Sequence, residues 1–136
     1  MRLHDFGLNQ VVLTGDYLVN AFTKEVDYLL SYDPNRLLAG FREVAGLPST
    51  AETYPGWEKT EIRGHTMGHY LSACAQAYAQ SRNDRLLANL EYLVSELAGC
   101  QLHNGYLSAF PETLFDNVEN RIPAWVPWYT MHKIIA

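Results

Sequence analysis

The chain has 136 residues, of which 48% are hydrophobic and 18% charged, and its formal net charge is −5. This length suits one domain rather than two, and the balance of hydrophobic and charged residues excludes a disordered chain. The acidic charge, without a cluster of Lys or Arg, argues against nucleic acid or an anionic membrane surface as a partner.

The sequence offers no sign of a membrane or secreted protein. No apolar run reaches the roughly 18 residues of a membrane-spanning helix, and the first residues do not lead into the apolar part of a signal peptide. We therefore expect a cytoplasmic chain without membrane association, unless an upstream segment directs export. Cys74 and Cys100 each lie inside a predicted helix. Two such cysteines do not make a disulfide framework, and we expect small buried thiols.

The first part of the chain predicts a helical hairpin. Residues 3–13 form an entry segment in which Val11–Leu13 are either a short strand or a packed lead-in. Helical spacing of apolar residues predicts a first helix over residues 15–31, with Thr14 as its cap. A second helix is predicted over residues 34–45. Pro34 suits the first turn of this helix, and it disfavours helical backbone at Asp33, which separates the two helices.

The rest of the chain alternates helices with two long connections. Residues 47–63 form the first connection, and residues 64–79 form a small-residue helix that contains two histidines. A fourth helix is predicted over residues 84–103, with Asn83 or Asp84 as its cap. A connection over residues 106–127 and a last helix over residues 128–136 follow it. The predicted fold is all-α, in consecutive hairpins. Because long connections in compact domains are often functional, we expect the site where they open.

Two histidines at the start of the third helix are the first candidate site. His65 and His69 are four residues apart and therefore share one helix face. Gly64 and Gly68 each cost about 1 kcal/mol of helix stability, so we expect close approach of backbone or ligand there. No glutamate lies between the histidines, which excludes the H-E-x-x-H protease motif. Three interpretations stay open: a zinc site completed by His132, a polar binding site, or backbone hydrogen bonding at a helix start.

A second cluster combines aromatic rings with hydrogen-bonding groups. It comprises Tyr106, Trp125, Trp128, Tyr129 and His132. Aromatic faces beside polar side chains suit sugars, which have apolar C–H faces and polar edges. The alternative is an aromatic packing seam between hairpins, which we expect for Trp128. For Tyr129 and His132 both interpretations remain open.

Several carboxylates lie in the predicted connections, namely Glu58, Glu61, Glu112, Asp116 and Glu119. A glycosidase needs two carboxyl groups about 5 to 10 Å apart. The sequence gives no distances, and a carboxylate on a loop is most often solvated. The residues taken alone therefore assign no catalytic role.

Several segments of the chain recur together in one known family. They are Phe41-Arg42, Ala45-Gly46-Leu47, Gly56-Trp57-Glu58, residues 64–73, Gln101, Gly105-Tyr106-Leu107 and residues 125–133. In order and spacing they resemble the N-terminal part of β-L-arabinofuranosidases, glycoside hydrolase family 127. The resemblance covers nearly the whole chain from about Leu8.

The resemblance implies an (α/α)6 barrel followed by β-sandwich domains, with retaining hydrolysis of terminal β-L-arabinofuranose from plant glycans. The mechanism it implies uses a cysteine thiolate held on zinc with other cysteines and a glutamate, and a separate glutamate as acid and base. The family's catalytic cysteines belong to a later segment with an adjacent Cys-Cys pair, which Cys74 and Cys100 do not match. A barrel of twelve helices needs roughly 190 residues. We therefore expect residues 1–136 to be an N-terminal portion of the catalytic domain, truncated at its C-terminal end.

The resemblance and the residues together give one expectation of function. We expect a carbohydrate-binding part of a glycoside hydrolase that is inactive alone, with no catalytic residue, metal ligand or cofactor in this chain and zinc in the full-length enzyme. The residues expected to bind substrate are His65, His69, Tyr106, Trp125, Tyr129 and His132. The alternative is a non-catalytic helical module that binds carbohydrate or another protein.

The expected truncation also predicts self-association. In a closed barrel each hairpin packs against neighbours on both sides, so an incomplete barrel exposes apolar side chains at two edges. The edge residues are Leu18, Phe22 and Val26, or else Leu37 and Phe41, together with Ile134 and Ile135. We expect the chain to associate with copies of itself through these edges.

Overall fold

The computed structural model describes residues 3–136, and in this range the chain forms six α-helices, two short 3-10 helices and no strand. The α-helices are α1 (Asp16–Leu30), α2 (Pro34–Val44), α3 (His65–Ser81), α4 (Asp84–Cys100), α5 (Thr113–Glu119) and α6 (Pro127–Ile135). The 3-10 helices span Leu8–Gln10 and Gly56–Lys59. The predicted all-α class, with consecutive helical hairpins forming part of an (α/α) barrel, is confirmed.

Helices α3, α4 and α6 show the hairpin arrangement most clearly. The connection between α3 and α4 is only two residues long, so these helices run antiparallel. In contrast, α3 and α6 run in the same direction. The ring of His65 lies beside that of Tyr129 near both N-terminal ends, and Gly68 faces Lys133 one turn further along. This alternation puts the first turns of α3 and α6 at the same end of the molecule.

Two glycines allow the close packing at this end, as expected from the sequence. A Cβ atom at Gly68 would collide with the backbone carbonyl of Lys133, so only glycine lets the two helix backbones approach this closely. Gly64, the residue before α3, has φ of +95°. A side chain there would be strained and would also press against Ala109.

The caps of the helices agree with the sequence in one case and differ in another. The side chain of Asn83 accepts the backbone N–H of Arg85 at 3.0 Å and so caps α4 as predicted. The predicted cap by Thr14 is wrong. Gly15 occupies the cap position of α1 with φ of +86°, and it makes no side-chain hydrogen bond.

Three further details differ from the sequence-based expectations. Val11–Leu13 form no strand, and most of this segment is exposed. The predicted connection over residues 106–127 contains α5, which was missed because seven residues with one buried leucine show no clear apolar period. Helix α4 ends at Cys100 rather than at residue 103.

The core lies between α1, α2, α3 and α4, and its most completely buried members are Leu38, Phe41, Met67, Cys74, Leu86 and Leu93. The expectation of buried thiols is confirmed, because Cys74 and Cys100 are both buried and unbridged. Burial raises the pKa of each thiol.

The predicted apolar edges are only partly open. Leu18 and Ile135 are exposed, whereas Val26, Leu37 and Phe41 are buried in the core. Self-association stays a prediction. Within residues 3–136, none of the helices has the length and apolar character that crossing a bilayer requires.

Candidate functional site

Four ring side chains from the first two turns of α3 and from α6 lie together, and we call them the ring cluster: His65, His69, Tyr129 and His132. The ring centroids of His65 and His69 are 6.1 Å apart, and those of His65 and Tyr129 are 5.9 Å apart. Tyr129 and His132 are 5.4 Å apart. His69, Tyr129 and His132 are exposed, and His65 is partly buried. The fold therefore brings two segments about 60 residues apart in the chain into one polar, solvent-facing group.

A pair of tryptophans continues this surface. Trp57 and Trp125 stack at 5.7 Å with an interplanar angle of 27°, and 58% and 47% of their surfaces are exposed. The ring of Trp57 also lies 6.2 Å from that of His65, edge to face. Exposed Glu61 accepts the backbone N–H of Trp125 at 3.1 Å and holds this residue in place. Two large aromatic surfaces are thus kept open to solvent beside the ring cluster.

One backbone carbonyl joins α3 to α6 and orients His65. The hydroxyl of buried Thr130 donates to the carbonyl of Ile62 at 2.7 Å, and Nδ1 of His65 lies 3.2 Å from the same oxygen. Because a carbonyl oxygen can only accept, Nδ1 of His65 carries a proton, and in the neutral ring Nε2 is then the acceptor. The arrangement sets both the position and the tautomer of this imidazole.

Glu58 anchors the start of α3. Only 7% of this residue is exposed, and its carboxylate accepts the backbone N–H groups of Gly64 at 2.7 Å and Thr66 at 3.2 Å. It also lies 3.6 Å from Nδ1 of His65. Since glycine precedes the helix and has no side chain to cap it, the acceptor for these N–H groups has to come from elsewhere in the chain. The glycine at this cap position was the signal in the sequence that an acceptor from another segment is required. The sequence alone placed Glu58 only among the loop carboxylates.

The pKa of His69 lies below its ordinary value, which favours the neutral imidazole. Partial desolvation of the ring is the largest cause, and the nearby charges of Lys133, His65 and His132 lower the pKa further. A neutral imidazole offers one N–H donor and one nitrogen acceptor. The ring can therefore exchange hydrogen bonds with a hydroxyl group, which is itself both donor and acceptor.

Of the six residues expected to bind substrate, five lie at this surface: the ring cluster and Trp125. Tyr106 lies elsewhere, because its hydroxyl donates to the carbonyl of Phe110 at 2.8 Å and its ring packs against Phe110 and Phe115. Burial raises the pKa of Tyr106 to about 12. Trp128 contacts Phe115 edge to face at 4.7 Å, as expected of a packing residue, although most of its surface is exposed.

The chain's own residues do not fit a zinc–thiolate centre. Among residues 3–136, no three His, Cys, Asp or Glu side chains come together as a metal ion would need. Cys74 and Cys100 are buried in the helical core, where their raised pKa values keep the sulfur protonated. A thiolate ligand requires the opposite, an environment that lowers the pKa of the thiol.

Comparison with known proteins gives one family. The model described as the β-L-arabinofuranosidase, GH127 catalytic domain, matches residues 10–136. No curated protein gives a significant match to the chain. The matched range includes every residue of the ring cluster, both stacked tryptophans and Glu58.

Proposed function

The chain belongs to the family of GH127 β-L-arabinofuranosidase catalytic domains, and we propose that it supplies the sugar-binding side chains of a retaining glycoside hydrolase. The substrate is a terminal β-L-arabinofuranoside of a plant glycan, and residues 1–136 are an N-terminal portion of the (α/α)6-barrel domain. The observation that carries the proposal is the ring cluster, which combines side chains of the parallel helices α3 and α6 beside two exposed tryptophans.

The side chains of the ring cluster match the chemistry of a furanose. A furanoside is neutral, with several hydroxyl groups and apolar C–H faces. Nε2 of His65 accepts a hydrogen bond from a sugar hydroxyl, and neutral His69 both donates and accepts. Tyr129 and His132 add hydrogen-bonding groups from α6. The exposed face of Trp125 or Trp57 covers the apolar side of the ring.

Catalysis depends on residues other than those of this chain. The thiolate and zinc chemistry expected of the family has no matching residues here, because both thiols are buried and protonated. The carboxylate of Glu58 lies 3.6 Å from Nδ1 of His65, and both of its oxygens already accept backbone N–H groups. We therefore expect the chain alone to bind arabinofuranosides without hydrolysing them.

Binding of methyl β-L-arabinofuranoside to the chain and its variants tests this function. Each hydrogen bond to a sugar hydroxyl contributes about 0.5 to 1.5 kcal/mol. His69→Ala and His132→Ala should therefore each weaken binding by about 2- to 13-fold. His103→Ala, which replaces an exposed histidine in the turn after α4, is the matched control and should bind like the unmodified chain.

Three results of the binding and hydrolysis measurements would contradict the proposed function or favour another one. Unchanged affinity in both His69→Ala and His132→Ala would show that the ring cluster does not bind the sugar. Equal affinity for hexopyranosides would favour the non-catalytic carbohydrate module. Hydrolysis of an aryl β-L-arabinofuranoside by the chain alone would contradict the assignment of catalysis to other residues.

A further inference from the structure

A cavity of about 420 Å³ adjoins the ring cluster on the side of α1. Its walls include Tyr28 and Tyr32 from the end of α1, Tyr54 and Trp57 from the following connection, and His65 and Thr66 from the start of α3. We call it the tyrosine pocket. The volume lies in the lower part of the range of about 300 to 1,000 Å³ found for small-molecule sites. His65 belongs both to the tyrosine pocket and to the ring cluster, so the two sites are contiguous.

The walls of the tyrosine pocket combine open aromatic faces with phenol groups. More than half of the surface of Trp57 and of Tyr28 is exposed. The hydroxyls of Tyr28 and Tyr32 are 2.8 Å apart, so one donates to the other and the second proton of the pair remains to be donated. The hydroxyl of Tyr54 accepts the backbone N–H of Asp33 at 2.7 Å, which leaves its own proton available.

The aromatic wall is held in place by packing and by charge. The ring of Tyr32 lies 5.3 Å from that of Tyr54 and 5.4 Å from that of buried Tyr70. The guanidinium of Arg36 lies over the ring of Tyr54 at 4.2 Å and donates to the backbone carbonyls of Glu52 and Thr53. Because these contacts are made within the protein, binding does not have to order the aromatic wall.

The charges around the tyrosine pocket indicate a neutral ligand. Glu58 is the acidic residue among its lining residues, and both of its oxygens are engaged by the backbone of α3. The hydrogen bond with Tyr28, with burial, raises the pKa of Tyr32 to about 12, so the phenol stays protonated and able to donate. No Lys or Arg is among the residues that line the pocket. A phosphate or a uronic acid would find no counter-charge here, whereas a neutral sugar finds donors and aromatic faces.

We propose that the tyrosine pocket is a second sugar subsite, which binds the neutral glycosyl unit attached to the terminal arabinofuranose. The inference rests on the proposed function, because the terminal ring has to occupy the ring cluster. A hydrolase of glycosidic bonds acts between two units, and the neighbouring unit has to lie beside the first. His65 is the shared wall across which the linked sugar passes from one site to the other.

The test compares a one-ring and a two-ring ligand by titration. The probes are methyl β-L-arabinofuranoside and the methyl glycoside of a β-linked L-arabinofuranose disaccharide. The unmodified chain should bind the disaccharide more tightly than the single ring, by about 2- to 13-fold for one aromatic platform. Tyr28→Ala should remove most of that gain and leave the affinity for the single ring nearly unchanged, because Tyr28 makes no ring contact with the ring cluster. Trp57→Ala should weaken the binding of both ligands, because Trp57 borders both sites.

Matched controls exclude a general effect of removing an exposed aromatic side chain. Trp128→Ala and Tyr17→Ala replace exposed residues of the same types outside the pocket, and both should keep the gain for the disaccharide. Equal affinity of the unmodified chain for both ligands would overturn the second subsite alone. Equal weakening of both ligands by Tyr28→Ala would also overturn it. Failure of the chain to bind either ligand would overturn the proposed function and the second subsite together.

Discussion

Replacement of Glu58 is the most informative perturbation of the site, because one carboxylate holds the start of the helix that carries His65 and His69. It accepts the backbone N–H groups of Gly64 at 2.7 Å and Thr66 at 3.2 Å, and 7% of the residue is exposed. Hydrogen bonds to a charged group contribute about 1.5 to 3 kcal/mol each, and an unpaired buried N–H group costs about 1 to 3 kcal/mol. The negative charge also interacts favourably with the N-terminal end of α3, by about 0.3 to 1 kcal/mol.

These contributions overlap, so Glu58→Ala should lower the free energy of unfolding by about 3 to 5 kcal/mol rather than by their full sum. Glu58→Gln keeps one oxygen acceptor but loses the charge and brings an amide N–H₂ against a backbone donor. We expect it to cost about 1 to 2 kcal/mol. With this smaller cost we expect the Gln variant to remain folded, so that its ring cluster can be examined directly.

Urea denaturation followed by circular dichroism at 222 nm measures these differences. Glu43→Ala is the matched control, since Glu43 is an exposed glutamate whose salt bridge to Arg63 at 3.3 Å should be worth less than about 1 kcal/mol. The reasoning would be refuted if Glu58→Ala were no more destabilising than Glu43→Ala. It would also be refuted if the His65 imidazole resonances of the Glu58→Gln variant were the same as those of the unmodified chain.

Three other predictions follow from single features of the molecule. Gly68→Ala should destabilise the chain by about 1 to 3 kcal/mol because the new methyl group meets the Lys133 carbonyl. Gly99→Ala in α4, with no atom within 4 Å of the new methyl group, should stabilise the chain by about 0.5 to 1 kcal/mol. Equal urea midpoints for these two variants would contradict both expectations. Because folding lowers the pKa of His69, the folded chain binds fewer protons than the unfolded chain near this pKa. The free energy of unfolding should therefore fall as the pH drops below about 6.5, and His69→Gln should reduce that loss. A titration midpoint of the His69 imidazole at or above about 6.5 by NMR would exclude the lowered pKa. Elemental analysis of the purified chain should find no stoichiometric zinc, and one tightly bound zinc that disappears in His65→Ala would overturn the role given to that histidine.

The positions of α3 and α6 were predictable because local signals agree along those segments. Gly64 before α3 and Pro127 in the first turn of α6 mark where the helices begin, and the observed starts lie within one residue of the predicted ones. The spacing of His65 and His69 then fixed that they share a face. Local chemistry was enough to find most of the ring cluster.

The parts that could not be predicted depend on how connections fold back onto helices. Glu58 is buried only because the segment before α3 turns its carboxylate onto the first N–H groups of that helix. Tyr106 was expected at the sugar site, but the turn at Gly105, with φ of +87°, directs the chain so that the phenol reaches the Phe110 carbonyl instead. The tyrosine pocket joins the end of α1 to the start of α3, a contact that residue spacing does not reveal.

The central claim is that the ring cluster binds the arabinofuranose ring, and an NMR titration of the histidine imidazoles tests it most directly. Methyl β-L-arabinofuranoside is added to the unmodified chain while the resonances of His65, His69, His132 and His103, which makes no ring contact with the cluster, are followed. Saturable shifts are expected for the resonances of His65, His69 and His132, and none for those of His103. Unshifted resonances of His65, His69 and His132 at saturating ligand, or equal shifts of all four histidines, would contradict it.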